Sequence, residues 1–338
     1  MLWQIFFIET KWQTDMILLG IDGGATHTRA ALVSETGAIL GYGISGPSNY
    51  DNVGVEIAKA NIREAVQQAW SEIDLKPPKA DAAYLGMAGV VSEPDRATIR
   101  QIIVALKLVK ENKIEVDHDI RIALAGGLAG AEGIVLIVGT GSSCYGRRND
   151  GRHHRTGWGY LLDDLGSGYY LGLQAMIAAI RAADGRGAPT GLSLLIQQAL
   201  GYEHIDEMMR LLYHERMSVT QIAALAPFVL SAAGGGDAVA LNIVEHGADE
   251  LALMVHAVAQ QLDFLAGPFP LIFVGGVANA STFYKQKIEA AILRRVPMCS
   301  IKQPMLPPVL GAALLAIESA GVPISPELLE SLKTRALP

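Results

Sequence analysis

One strand-and-turn pattern occurs twice in this chain, and it limits the fold more than any other feature. Ile17–Ile21 is a short apolar run that ends in Asp22-Gly23-Gly24-Ala25-Thr26-His27-Thr28. A second strand follows over about Arg29–Ser34, Glu35-Thr36-Gly37 turns, and Ala38–Ile44 makes a third. Ile134–Val138 then ends in Gly139-Thr140-Gly141-Ser142-Ser143 and leads into a strand over Cys144–Arg147. Asn149-Asp150-Gly151 is a hairpin signal, and Arg152–Thr156 extends after it. The two units start 117 residues apart, at Ile17 and Ile134. A further apolar strand, Leu271–Val274, ends in Gly275-Gly276.

Helical patterns separate these strands. Val55–Trp70 places Ile62, Ala65, Val66 and Ala69 at helical spacing, and Ser92–Leu108 opens on a cap and Pro94 before Ile99, Ile102, Ile103 and Leu106. A mostly helical stretch runs from about Gly168 to Gln261 with breaks near Gly185–Gly187 and Gly234–Gly236, and a late helix carries Leu310–Ser319. Alternating strands and helices in two similar halves predict an α/β protein of two domains with a cleft between them.

Composition agrees. A chain of 338 residues suits two domains, and 50% hydrophobic residues exclude disorder and supply a core. Twenty-seven basic against 34 acidic residues, a net charge of −7, argue against a nucleic-acid partner, whose binder should be basic. Thirty-six glycines without a three-residue period belong in turns and close approaches. Cys144 and Cys299 are too few for a disulfide framework. Polar residues interrupt Met1–Gly20 well short of the roughly 18 apolar residues of a membrane span. It also lacks a basic start and a small-residue cleavage site. Residues 1–15 are expected to be an extension ahead of the fold, and the chain to be cytoplasmic without a membrane partner.

A phosphate-binding turn needs outward backbone N–H groups and no obstructing side chain, which glycine permits and Ser or Thr hydroxyls supplement. Gly23-Gly24-Ala25-Thr26-His27-Thr28 and Gly139-Thr140-Gly141-Ser142 fit that requirement, each directly after an apolar strand. Either alone reads as a tight turn; two with matched flanks point to phosphate. Asp22 alone reads as an Asx turn, but before Gly-Gly it suits Mg²⁺ beside phosphates. There is no GxxxxGK[ST]. Gly41-Tyr42-Gly43-Ile44-Ser45-Gly46 matches GxGxxG only literally, since Pro47 follows and no helix opens there, so it reads as a strand end.

In sequence order these loops resemble the sugar-kinase/Hsp70/actin ATPase superfamily, and within it the BadF/BadG/BcrA/BcrD type that includes N-acetylglucosamine kinases. Ile21–Thr28 resembles the DGGGTKT phosphate loop and Val138–Ser143 the second phosphate loop. Gly157-Trp158-Gly159 through Gly168 resembles the GGWG…GDEGSG element. Phe273–Val277 resembles the adenosine-side turn, and Pro308–Ala313 the start of the last conserved helix. The resemblance implies two ribonuclease-H-like (actin-like ATPase) domains with a nucleotide cleft between them. They are expected over residues 16–118 and 119–321, with a helix at about 322–338 packing back on the first.

The implied cofactors are ATP and Mg²⁺, and the implied partner is a small-molecule amino sugar, with a homodimer common in such proteins. Gly23, Gly24, Thr26, His27, Thr28, Gly139, Thr140, Gly141, Ser142, Gly275 and Gly276 would bind ATP, and Asp22 the metal. Asp119 would orient and deprotonate the acceptor hydroxyl; a helix-capping role is its bland alternative, and Asp117 is the candidate if the register shifts by two. Asn49, Asp119, Ser143, Cys144, Gly157, Trp158, Gly159 and Asp164 would line the acceptor site, though Trp158 by itself reads more often as core and only its place between two glycines evens the two readings. Some positions depart from the pattern. Ala25 replaces a glycine, His27 a lysine, Thr156 a glycine, and Asp163-Asp164-Leu165 replaces Gly-Asp-Glu. The expected activity is ATP-dependent phosphorylation of N-acetylglucosamine or glucosamine. Two alternatives stay open: an ATPase activator of 2-hydroxyacyl-CoA dehydratases or benzoyl-CoA reductases, which needs cysteine ligands for an iron–sulfur cluster, and a non-catalytic ATP or sugar sensor.

Overall fold

The computed structural model describes residues 15–73, 79–110, 113–335 and 337. The expected extension over residues 1–15 therefore lies, apart from Asp15, outside the described residues. The chain forms two compact units, one running up to Ile122 and resuming at Pro308, the other Ala123–Pro307.

The first unit opens with strands β1 (Ile17–Gly23), β2 (Thr28–Ser34) and β3 (Ile39–Ser45), an antiparallel meander. Helices α1 (Tyr50–Val53) and α2 (Val55–Ser71) follow, then β4 (Ala82–Met87), α3 (Glu93–Leu106), β5 (Ile114–His118) and the start of α4 (Asp119–Gly127), whose residues from Ala123 on belong to the second unit. The sheet order is β3-β2-β1-β4-β5, with β4 parallel to β1 and β5 parallel to β4. Helix α2 buries Ala58, Ile62, Ala65, Val66 and Ala69, the apolar stripe its sequence spacing predicts. It packs directly on β3, because a Cβ on Gly41 or Gly43 would overlap the carbonyl oxygens of Ala69 or Ala65. The GxG of the sequence is thus a strand made bare for a helix. Helix α3 starts on a reciprocal capping box between Ser92 and Asp95. Strand β4 has no counterpart in the sequence reading. Ala82-Ala83-Tyr84-Leu85-Gly86-Met87 is poor in β-branched residues, but all six residues are buried, as in a parallel strand covered on both faces.

The second unit repeats the plan. Strands β6 (Gly133–Val138), β7 (Ser142–Arg147) and β8 (His153–Thr156) form its meander. Helices α5 (Gly168–Ala183), α6 (Leu192–Leu200), α7 (Glu207–Met209), α8 (Val219–Ala223), α9 (Ala226–Gly234) and α10 (Ala238–Gln261) follow. Then come β9 (Phe269–Val274), α11 (Gly276–Ala280), α12 (Thr282–Arg295) and β10 (Cys299–Lys302). Its order, β10-β9-β6-β7-β8, is that of the first sheet when each unit is counted from its own first strand. Strand β9 is parallel to β6, as β4 is to β1. Helices α5, α9, α10 and α12 build the core over it with Leu171, Val229, Leu251, Val255 and Ile288. No single described helix is long and apolar enough to cross a membrane.

The last two helices, α13 (Pro308–Ser319) and α14 (Pro326–Lys333), belong to the first unit. The return therefore begins at Pro308 and not near residue 322. Gly20 of β1 is the reason: a Cβ there would overlap the backbone of Ala313, so α13 lies directly on the central strand. Nine consecutive α13 residues, Val309–Ile317, are buried, more than a surface helix would hide.

Candidate active site

In the first unit, β1, β4 and β5 run parallel and end together, with Gly23 beside Met87 and Met87 beside His118. Ligands of open α/β sheets bind beyond such carboxyl ends. Three expected elements meet at this edge: the turn after β1, the Asn49 segment and Asp119. The turn is closed by the Gly24 N–H donating to the His27 carbonyl at 2.8 Å, which leaves Ala25, Thr26 and His27 exposed at its tip. Gly23 has no room for a Cβ between the Met87 thioether and the Ser48 hydroxyl. Ala25 is not among the described non-glycine residues with positive φ, so the loss of the family's third glycine is harmless to this backbone.

Asn49 caps α1, its Oδ1 accepting from the Asp51 N–H at 3.1 Å, and it lies over Gly89. The next residue, Tyr50, donates its hydroxyl to Asp95 at 2.6 Å, which ties α1 to the start of α3.

The carboxylates differ in their surroundings. Burial pushes Asp22 up to about 6, opposed by Arg29 at 3.6 Å and reinforced by the negative charge of Asp119. Asp119 is the first residue of α4, with its side chain 40% exposed. Asp117 is occupied: Arg96 at 3.0 Å, Arg121 at 2.9 Å and the His118 N–H at 2.9 Å all donate to it. Burial would raise its pKa, but these donors hold it below the usual carboxylate range. Of the two candidates, Asp119 is therefore the carboxylate with free oxygen surface at the edge, and Asp117 is a structural anchor.

The second unit presents the same edge, with Val138 ending β6 and Val274 paired to Ile137 at the end of β9. Its turn is closed by the Gly139 N–H donating to the Gly141 carbonyl at 2.9 Å. The first N–H groups of α5 support it: Gly168 donates to the Gly139 carbonyl at 2.8 Å and Tyr169 to the Thr140 carbonyl at 3.0 Å. Asp164, buried and at φ 59°, lies against Gly141 and accepts from the Ser142 N–H; burial raises its pKa and that bond opposes the rise. The Ser142 hydroxyl donates to the Leu165 carbonyl at 3.1 Å. Gly275, at φ 112°, has no room for a Cβ beside the Val138 carbonyl, which sets the Gly275-Gly276 turn next to the glycine turn that follows β6. Gly157 packs against Ser142 and Ser143, and Gly157 and Gly159 have φ of 99° and 85°. Trp158 between them is 65% exposed, with the Arg155 guanidinium 5.4 Å from its ring centre.

Within each unit, then, most expected residues converge. Asp22, Gly23, Gly24, Thr26, His27, Asn49 and Asp119 share one edge; Gly139, Thr140, Gly141, Ser142, Ser143, Gly157, Trp158, Gly159, Asp164, Gly275 and Gly276 share the other. Two side chains do not belong. Thr28 is fully buried and donates its hydroxyl inward, to the Gly46 carbonyl at 2.7 Å. Cys144 is fully buried in the core, where burial raises its thiol pKa well above the ordinary value. Cys299 is buried too, its pKa pushed up to about 12 by burial, so neither thiol is presented as a cluster ligand. Leu165, in the place of the family Glu, packs on the same core. Two contributors had gone unread: Arg29, the partner of Asp22, and the Ala88-Gly89 turn. The signal for the turn was an apolar run ending in Met87-Ala88-Gly89, hidden by the weak strand propensity of β4.

Two units of one topology, each offering a glycine turn at the carboxyl edge of a 3-2-1-4-5 sheet, define an actin-like ATPase fold. The chain belongs to the BadF/BadG/BcrA/BcrD ATPase family, which residues 19–316 match. It is 32% identical over 300 residues to the N-acetylmuramic acid/N-acetylglucosamine kinase of Clostridium acetobutylicum, covering 88% of this chain and 97% of that one. It is 30% identical over 314 residues to the N-acetyl-D-glucosamine kinase of Dictyostelium discoideum, covering 90% and 98%. A solved structure from Chromobacterium violaceum, provisionally described as an N-acetylglucosamine kinase, superposes with a TM-score of 0.72 at 26% identity, covering 89% of this chain and 99% of that one.

Proposed function

We propose that this chain transfers the γ-phosphoryl group of ATP to a hydroxyl of an amino sugar, the C6 hydroxyl of N-acetylglucosamine or glucosamine. ATP use follows from the family, and the activity of the curated relatives supports the acceptor class. The observation that carries the reading is the contrast between the two aspartates at the end of β5. Asp117 is consumed by two arginines, whereas Asp119 stands half-exposed at the head of α4, within electrostatic reach of Asp22.

Phosphoryl transfer asks mainly for positioning and charge neutralisation. In this reading Gly23–Thr26 in the first unit and Gly139–Ser142 in the second each present backbone amides suited to phosphate oxygens, and within the second unit Gly275-Gly276 is the turn suited to adenosine. Asn49 in the first unit, and Ser143, Gly157, Trp158, Gly159 and Asp164 in the second, each offer groups suited to contacting the acceptor. Asp119 accepts a hydrogen bond from the acceptor hydroxyl, aims its oxygen at the γ-phosphorus and takes the proton as the bond forms. Asp22 fits a hydrated Mg²⁺: it is a hard oxygen donor whose charge is opposed by burial and offset only by Arg29 at 3.6 Å, so a cation beside it would favour its ionised form. Once bound, Mg²⁺ would supply the positive charge that offsets the developing phosphate charge.

A coupled ADP-release assay over N-acetylglucosamine, glucosamine, N-acetylmuramic acid and glucose tests this. Sustained ADP formation dependent on an amino sugar is expected. Binding of nucleotide and sugar without turnover would instead mark a sensor.

A further inference from the structure

The phosphate turn and the segment carrying Asn49 lie about twenty residues apart in sequence, yet they are joined by hydrogen bonds. Thr28 Oγ1 donates to the Gly46 carbonyl at 2.7 Å, and the Ser48 N–H donates to the Gly24 carbonyl at 3.1 Å. Asn61 Nδ2 donates to the intervening Pro47 carbonyl at 2.6 Å, fixing the segment to α2. The turn after β4 joins the same raft. Its Ala88 N–H donates to the Gly23 carbonyl at 2.7 Å, and Asn49 Oδ1 lies 2.8 Å from where a Gly89 Cβ would stand. Thr28 and Ser48 are both fully buried, so these links are shielded from competing water.

We infer that nucleotide and acceptor binding are thermodynamically linked within the first unit, through the Thr28 hydroxyl acting as a positioning group and not as a phosphate ligand. The inference rests on the kinase reading above, with Gly23–Thr26 on phosphate and Asn49 on the sugar. A sugar that orders Asn49 also orders Gly46–Ser48, and through Thr28 and Ser48 it orders both ends of the phosphate turn. Such linkage is reciprocal: phosphates that hold the turn must tighten sugar binding by the same factor. Thr28 is the informative residue, because its bond to Gly46 is a side-chain bond, whereas the Ser48–Gly24 bond is made by main chain.

The test is calorimetric. The Kd of a non-hydrolysable ATP analogue with Mg²⁺ is measured with and without saturating N-acetylglucosamine, for the wild type, Thr28→Val and Thr28→Ser. The wild type is expected to bind the analogue several-fold tighter with sugar present. Thr28→Val should reduce that ratio by about fivefold, the factor equivalent to one net hydrogen bond, and Thr28→Ser should restore it. Thr28→Ala replaces the valine variant if a thermal melt shows that the second methyl does not fit. A wild-type ratio of one, or an unchanged ratio in the variant, overturns the inference. So does a loss of nucleotide affinity that is equal with and without sugar, which would make Thr28 a direct ligand or a plain stability residue. Wild-type protein that forms no ADP with any amino sugar removes the kinase reading and this inference together, whereas turnover with a ratio of one removes the inference alone.

Discussion

Asp22 and Asp117 are both largely shielded carboxylates, and their surroundings push them in opposite directions. Asp117 has two guanidinium groups and a backbone N–H, so its charge stabilises the fold above its unfolded pKa and is lost only in acid. Asp22 has one arginine, at 3.6 Å, and a like charge nearby, and burial raises it from 3.8 to about 6. The unfolded chain therefore binds fewer protons than the folded one between about pH 4 and pH 6, so stability falls as pH rises through that window. A shift of this size corresponds to on the order of 3 kcal/mol, an upper figure for one site. In metal-free protein the Asp22→Asn variant should melt higher than the wild type at pH 7.5 and show no such advantage at pH 4, as scanning calorimetry would report. Equal melting at both pH values would mean that Asp22 ionises without cost. Asp22, Asp117 and Asp119 are all visible in the sequence, but which of the latter two the arginines engage depends on Arg96 and Arg121, and nothing in their spacing reveals that pairing, which among the described residues leaves Asp119 only His118 at 3.7 Å.

At the level of elements, each glycine turn was legible because it follows an unmistakable apolar strand. The parity of a neighbouring side chain was harder to read. Along β7 the small residues Ser143 and Cys144 look alike in sequence, but alternation sends Cys144 into the core and leaves Ser143 part-exposed. Thr28 is hard to read for a similar reason: a hydroxyl after a glycine turn suits phosphate, but at the first residue of β2 it donates instead to the Gly46 carbonyl just past β3. Strand β4 was missed because its burial on both faces, and not its propensity, makes it a strand. The GxG of β3 shows the opposite case, where dismissing a nucleotide motif left a packing role to be found. Gly43→Ala should push α2 off the sheet and destabilise the protein by about 1–3 kcal/mol, as overpacking typically does. Urea denaturation would show this, whereas an unshifted midpoint would mean that the helix gives way freely.

For the whole molecule, the repeat at Ile17 and Ile134 predicts two α/β units that open on the same three-strand plan, and the structure adds that the two sheets share one strand order. The repeat does not foretell that α13 returns to the first unit, since the small residues that let this helix lie on Gly20 look like any apolar helix. The duplicated plan gives each unit a glycine turn after its first strand, and the pair of carboxylates that the proposed chemistry requires, Asp22 and Asp119, lies in the first unit. The proposed catalytic role therefore falls on one atom group, the Asp119 carboxylate. Steady-state ADP formation by Asp119→Asn, with ATP and the amino sugar that the wild type prefers, tests that claim most directly when nucleotide affinity is measured in parallel. The expected result is nucleotide binding within about twofold of the wild type and turnover lowered roughly 10²–10⁴-fold, the usual cost of losing a general base. Turnover close to that of the wild type would contradict it.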